Sequence, residues 1–204
     1  SAPCGPGAIV ALNSSNCVIG APVARFGAQP VSGCPPLTVQ FWDSSAGNPS
    51  AWEWDVNGDG VVDYTTQNCV HTYQQPGQYT VRLVVHNSAG SDTLIRPQYI
   101  TVYELPQVDA GPDRTVCVGE AVQLGGNPTA QGGMPPDTYQ WSPATGLDNP
   151  SAPNPIARLT SSMQYVLTVT DARGCRSSDT VTVVVQSLPQ PRLNVVGAAQ
   201  FCQG

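Results

Sequence analysis

Asp55, Asn57, Asp59 and Asp63 take positions one, three, five and nine of a loop with glycines at 58 and 60. Side-chain oxygens at that spacing can converge on a hard cation such as Ca2+, and an EF-hand loop begins the same way. An EF-hand also needs a bidentate Glu at position twelve, where this chain has Thr66, and no flanking helices are predicted; Val62 does suit the apolar position eight. The same residues have a second use. Asn57-Gly58-Asp59-Gly60 is composed of the types that tolerate positive φ, so it also reads as a hairpin turn. Cation binding and turn formation are compatible, and both stay open.

Other groups able to do chemistry are few. His71 and His86 have no Ser or Cys in a recognisable nucleophile context, and His71 reads as a packed strand residue donating to a backbone carbonyl. Asp55 and Asp59 would need a groove between them to act as a glycosidase pair, and a hairpin loop supplies none. The chain is therefore read as not an enzyme. Asp92-Thr93-Leu94 and Asp179-Thr180-Val181 resemble the short Asp-Ser/Thr-aliphatic signal for O-glycosylation in Bacteroidetes, which would modify Thr93 and Thr180. The alternative is plain strand alternation with Thr outward. Asn13-Ser14-Ser15 fits an N-glycosylation acceptor in a eukaryotic host. Trp42 and Trp52 lie in strands whose other register faces the core, which would leave an indole on the surface to stack on a sugar ring. Packing against an adjoining domain or the N-terminal segment accounts for them equally well.

These residues must be positioned by strands. Gly and Pro number 20 each, and Thr, Val and Ser crowd the stretches between them, the composition of short strands joined by tight turns. No apolar spacing of three and four residues persists long enough for a sizeable helix. The net charge of −6, with only 8 Lys plus Arg scattered singly, offers no basic patch, so nucleic acid is excluded as an expected partner. No apolar run approaches the roughly 20 residues that cross a bilayer, so no membrane insertion is expected. Ser1 opens the chain without a leader, and a processed or excised segment of a secreted protein is expected.

The sequence repeats itself at an offset of roughly 85 residues. Trp54 falls on Trp141, Gln78-Tyr79 on Gln164-Tyr165, Ser91-Asp92-Thr93 on Ser178-Asp179-Thr180, and Cys34 on Cys117 at a slightly shorter offset. Leu188-Pro189-Gln190 and Phe201-Cys202 echo Leu105-Pro106-Gln107 and Val116-Cys117, as a third copy or a strand extension would. The seven cysteines lack zinc-site spacing and suit an oxidising compartment. By their places in the repeats, Cys34 is expected to meet Cys69, Cys117 to meet Cys175, and Cys4 to meet Cys17, leaving Cys202 over; the alternative is that some of them are free buried thiols, since Cys packs readily as a small apolar residue. Each bridge would contribute about 2–4 kcal/mol.

Leu37, Val39 and Phe41 alternate with Thr38, Gln40 and Trp42, and Tyr79, Val81, Leu83 and Val85 with Thr80, Arg82, Val84 and His86. Each run reads as a half-buried strand. In the second repeat Val122 and Leu124, then Tyr165, Leu167 and Val169, then Val181, Val183 and Val185 follow the same scheme, with Trp54 and Trp141 placed as central-strand core tryptophans. The Trp54-Asp55, Asp59-Gly60, His71-Thr-Tyr73, Pro76-Gly-Gln-Tyr79-Thr-Val81 and Asn87-Ser-Ala-Gly90 elements, in that order, resemble a PKD (polycystic kidney disease) domain over Pro22 to Val102. The second repeat, with Trp141-Ser-Pro143, Asp171-Ala-Arg-Gly174-Cys175 and Ser178-Asp-Thr-Val181, is similar to Ig-like repeats of large secreted Bacteroidetes adhesins.

The resemblance implies an all-β fold of tandem Ig-like, PKD-type β-sandwiches: an N-terminal segment over 1–21, a first sandwich over 22–103, a second over 107–187, and a third repeat or strand extension over 188–204. It also implies, as in some PKD-family domains, a Ca2+ ion held by part of the loop at Asp55, Asn57, Asp59 and Asp63. The expected role is a non-catalytic structural or adhesive module of a large repeat protein, secreted or at the cell surface, joined by a proline-stiffened linker at Tyr103 to Gln107. Expected partners are other repeats, copies of itself through strand exchange, or cell-surface glycans and extracellular polymers. The alternative is an accessory carbohydrate- or protein-substrate-binding module of a secreted hydrolase.

Overall fold

A computed structural model describes residues 20–186. The expectations on Cys4, Cys17, Asn13, Cys202 and the stretch 188–204 lie outside the described residues. Within them the chain is all-β. The described residues pack as two compact units, the first comprising 20–107, 131–137 and 170–177, the second 108–130, 138–169 and 178–186.

In the first unit the strands are β1 (Phe26–Gln29), β2 (Ser32–Gly33), β3 (Leu37–Asp43), β4 (Ala51–Asp55), β5 (Cys69–Tyr73), β6 (Gly77–Asn87) and β7 (Gly90–Val102). They form two sheets, ordered β1-β3-β5 and β2-β7-β6-β4. The alternation of β3 is obeyed residue by residue, with Leu37, Val39 and Phe41 buried and Thr38, Gln40 and Trp42 exposed. Val81, Leu83 and Val85 of β6 meet them in one core with Phe26 and Trp54, which makes the pair of sheets a sandwich. Trp54 is fully buried, with Phe26 edge-on at 5.3 Å and Phe41 at 5.9 Å. Its Nε1 donates to the Thr66 carbonyl at 3.0 Å, so the indole is packed and satisfied at once.

The remaining strands are β8 (Gln107–Val108), β9 (Arg114–Cys117), β10 (Ala121–Gln123), β11 (Ala130–Gln131), β12 (Thr138–Ser142), β13 (Ile156–Arg158), β14 (Met163–Thr170) and β15 (Arg176–Gln186). They assemble as β12-β14-β15-β9, β10-β13 and β8-β11. A second core gathers Leu124, Trp141, Tyr165, Leu167, Val169, Val181 and Val183. Trp141 Nε1 donates to the Ala152 carbonyl at 3.0 Å, repeating the Trp54 arrangement. Asp92 Oδ2 accepts the Ala24 amide at 2.8 Å and Asp179 Oδ2 the Ala110 amide at 2.9 Å. The sequence repeat is therefore a repeat of hydrogen bonds as well. Each repeat also carries a short parallel edge strand, β2 on β7 and β9 on β15.

The cysteine pairing departs from expectation. Cys34 is bonded to Cys175, 141 residues away, with Cα atoms 5.4 Å apart, while Cys69 and Cys117 carry free thiols. The reason lies in the strands. Cys34 follows β2, in the four-stranded sheet, whereas Cys69 lies opposite Phe41 in the other sheet and points into the core. Cys117 pairs with Gln186 at the end of β15, whereas Cys175 directly precedes its start. Eleven strand residues, roughly 36 Å, separate the two positions, far beyond disulfide reach. Cys175 instead sits in the β14–β15 turn, within the 170–177 stretch that packs in the first unit beside Cys34.

That turn is organised by Asp171. Its Oδ1 accepts the amides of Arg173 and Cys175 at 2.9 and 2.8 Å, and its Oδ2 that of Met134 at 3.0 Å. Burial alone would raise its pKa, but the three amides and the Arg173 charge outweigh it and hold the carboxyl below its ordinary value. The Arg173 guanidinium lies 4.3 Å over the Tyr103 ring.

Candidate functional site

The acidic loop joins β4 to β5. Asp55, at the end of β4, is buried, with Oδ1 accepting the Gly58 amide at 2.7 Å and Oδ2 the Gly60 amide at 2.9 Å. Asn57 Oδ1 accepts the Asp59 amide at 2.9 Å, Asp59 Oδ1 the Val61 amide at 2.8 Å, and Asp63 Oδ2 the Val56 amide at 2.8 Å. Asn57 Nδ2 then donates to Asp59 Oδ2 at 3.1 Å. Gly58 and Gly60 stand at φ +80° and +85°, a conformation that an L side chain rarely adopts. All four side chains thus cap the turn that they belong to. Among the described residues no group of three or more His, Cys, Asp or Glu side chains is placed to hold a metal ion.

Beneath the loop, Tyr64, His71, Tyr73 and Tyr79 stack in series, with the His71 and Tyr73 rings 4.6 Å apart. His71 Nδ1 bonds the Tyr64 hydroxyl at 3.0 Å rather than a backbone carbonyl, and the Tyr73 hydroxyl donates to the Val56 carbonyl at 2.6 Å. The His-Thr-Tyr element is accordingly a packed clamp under the loop. Burial, with the nearby Asp63 charge, pushes the Cys69 thiol up to about 12, and burial chiefly raises Tyr64 and Tyr73 as well. A thiol held protonated is not a nucleophile at neutral pH. His86 faces Glu53 at 3.5 Å, an ion pair only when the imidazole is protonated.

The two surface-tryptophan candidates separate. Trp52 is half-buried against the core with its Nε1 closed off from solvent and unpaired. Trp42 is 42% exposed on the outer face of the β1-β3-β5 sheet. Gly27 pairs with it across β1, and a Cβ built at Gly27 would overlap the indole ring, so the ring fills the space that a side chain there would take. An open cleft of about 480 Å³ runs past this ring, lined also by Gln40, Tyr64, Thr66, Asn68 and Val70. Sequence reasoning found Trp42 but not its supports. A glycine inside a strand, beside an aromatic on the next strand, was the available clue.

Thr93 and Thr180 are both exposed, as either reading of the Asp-Thr pairs requires. The adjacent Asp92 and Asp179 accept the Ala24 and Ala110 amides. Among the described residues no helix is long and apolar enough to cross a membrane.

Residues 20–102 match the model of the PKD domain family. No curated protein matches the chain. A Methanosarcina mazei protein solved by solution NMR is 31% identical over 47% of this chain and 61% of its own, with a TM-score of 0.33. The eight N-terminal Ig domains of Down Syndrome Cell Adhesion Molecule align over 83% of this chain at 14% identity and a TM-score of 0.43. This chain covers 25% of that one. An I-band fragment of titin aligns over 81% of this chain and 66% of its own, at 14% identity and a TM-score of 0.40.

Proposed function

We propose that the chain is a non-catalytic extracellular module of a larger secreted or surface-anchored protein, and that it works mechanically, as a spacer in an adhesive or fibrous assembly. The observation that carries this reading is the Cys34–Cys175 bond. A cross-link spanning 141 residues places β3 through β14 inside one covalent loop, so tension applied through the chain bypasses them. Such a bond persists in oxidising surroundings, outside the cytosol. The side chains that would have served chemistry are engaged elsewhere: the loop carboxylates cap their own turn, His71 stacks in the tyrosine series, and Cys69 is buried and protonated. Pulling the two ends apart with and without a reductant tests the proposal. The oxidised chain should extend far less than the reduced one, and equal extension would remove the mechanical argument.

A further inference from the structure

We propose that the cleft beside Trp42 binds a neutral polysaccharide, with a pyranose ring stacked on the indole and its hydroxyls bonded to the Gln40 and Asn68 amides. This deepens the adhesive reading above by naming what the surface would hold. Five observations carry it.

Trp42 is the exposed tryptophan of the four in the chain; Trp54 and Trp141 are buried and Trp52 half-buried. An exposed indole offers a large apolar ring to a ligand. Its ring is also held in place, since it occupies the space a side chain at Gly27 would fill, and a flat apolar surface matches the axial C–H face of a pyranose. The neighbours are of the right kind, since Gln40, Thr66 and Asn68 supply amides and a hydroxyl, and no Asp, Glu, Lys, Arg or His lines the cleft. A charge-free wall of donors and acceptors suits a polyol and gives nothing to an acidic glycan, a phosphate or a basic peptide. Asn68 is oriented too. Its Oδ1 is committed to the Asp43 amide at 2.9 Å, which turns Nδ2 outward as a donor. Finally, a volume of about 480 Å³ lies within the range of small-ligand sites, and the cleft is open, so a ring within a chain can lie across it.

Native gels cast with hydroxyethylcellulose, xylan or galactomannan, with alginate and gelatin gels as comparisons, test the proposal on the full oxidised chain. We expect retardation by at least one neutral polymer, and a change in tryptophan fluorescence on titrating the matching oligosaccharide. Trp42→Ala should weaken binding at least tenfold with an unchanged circular dichroism spectrum. Gly27→Ala keeps the indole but displaces it, and should also weaken binding. If no neutral polymer retards the chain, if only alginate or gelatin does, or if Trp42→Ala binds like the parent, the proposal is overturned. None of these outcomes touches the stretching experiment, so the mechanical reading stands or falls separately.

Discussion

Reducing the Cys34–Cys175 bond, or replacing Cys175 by Ser, should release a defined length of chain under load. The residues inside the bridge number 141 by separation, and an extended chain spans about 3.3–3.6 Å per residue, so the released contour is about 470–510 Å. In the oxidised protein the same stretch is replaced by a Cα–Cα span of 5.4 Å. Optical tweezers with handles fused to both ends of the full chain read the difference directly. The oxidised chain should show unfolding steps only from residues outside the bridge, and tris(2-carboxyethyl)phosphine should add about 470–510 Å to the final contour. The loop-entropy argument gives about 5 kcal/mol for a loop of this size, whereas measured bridges more often contribute about 2–4, so reduction should lower Tm by roughly 5–15 °C. Identical final contour lengths in the two states would refute the reasoning, because a chain bridged at these positions cannot reach full extension.

Four further outcomes follow from the same geometry. Iodoacetamide at neutral pH should label exposed Cys117 in the native protein and reach Cys69 only after denaturation, as read by peptide mass; rapid native labelling of Cys69 would contradict its burial and raised pKa. Asp55→Ala removes the acceptor of two turn amides and should destabilise the first unit by on the order of 3 kcal/mol. In the same melting experiments calcium and EDTA should give equal Tm for the parent, and a rise of several degrees with calcium would show that the loop oxygens are free to ligate. Asp171 has its folded pKa below the unfolded value, so its contribution is complete above the ordinary carboxylate value of about 3.9 and is lost as the pH falls through the depressed one. The Tm gap between the parent and Asp171→Asn should therefore be widest above about pH 5 and close toward pH 2; a gap independent of pH would sink this assignment.

The sandwich cores were legible in the sequence because alternation is a local property. Leu37-Val39-Phe41 and Tyr165-Leu167-Val169 each declare which face is buried without knowledge of any partner. The core tryptophans were legible for a related reason, since one repeat checks the other. The disulfide was not. Cys34 and Cys117 do occupy similar places, just after β2 and at the end of β9, but those strands are 2 and 4 residues long and pair in parallel, too short for alternation to announce them. Which cysteine each one meets depends on which end of the last long strand lies beside it, a non-local fact that repeat position cannot supply. The acidic loop shows the opposite limit. Its residue types and spacing read as both ligands and turn formers; the oxygens accept the Gly58, Gly60, Val61 and Val56 amides, as the turn reading expects, and those directions are not written in the residue types. The cleft beside Trp42 was half legible: the indole was found by register, while Gly27, Asn68 and Tyr64 converge on it from separate segments.

A non-reducing peptide map of the native protein tests the central claim most directly. Digestion and mass spectrometry should return one cross-linked peptide joining Cys34 to Cys175, with Cys69 and Cys117 recovered as thiols. Recovery of Cys34 joined to Cys69, and of Cys117 joined to Cys175, would contradict the fold described here and the mechanical role built on it.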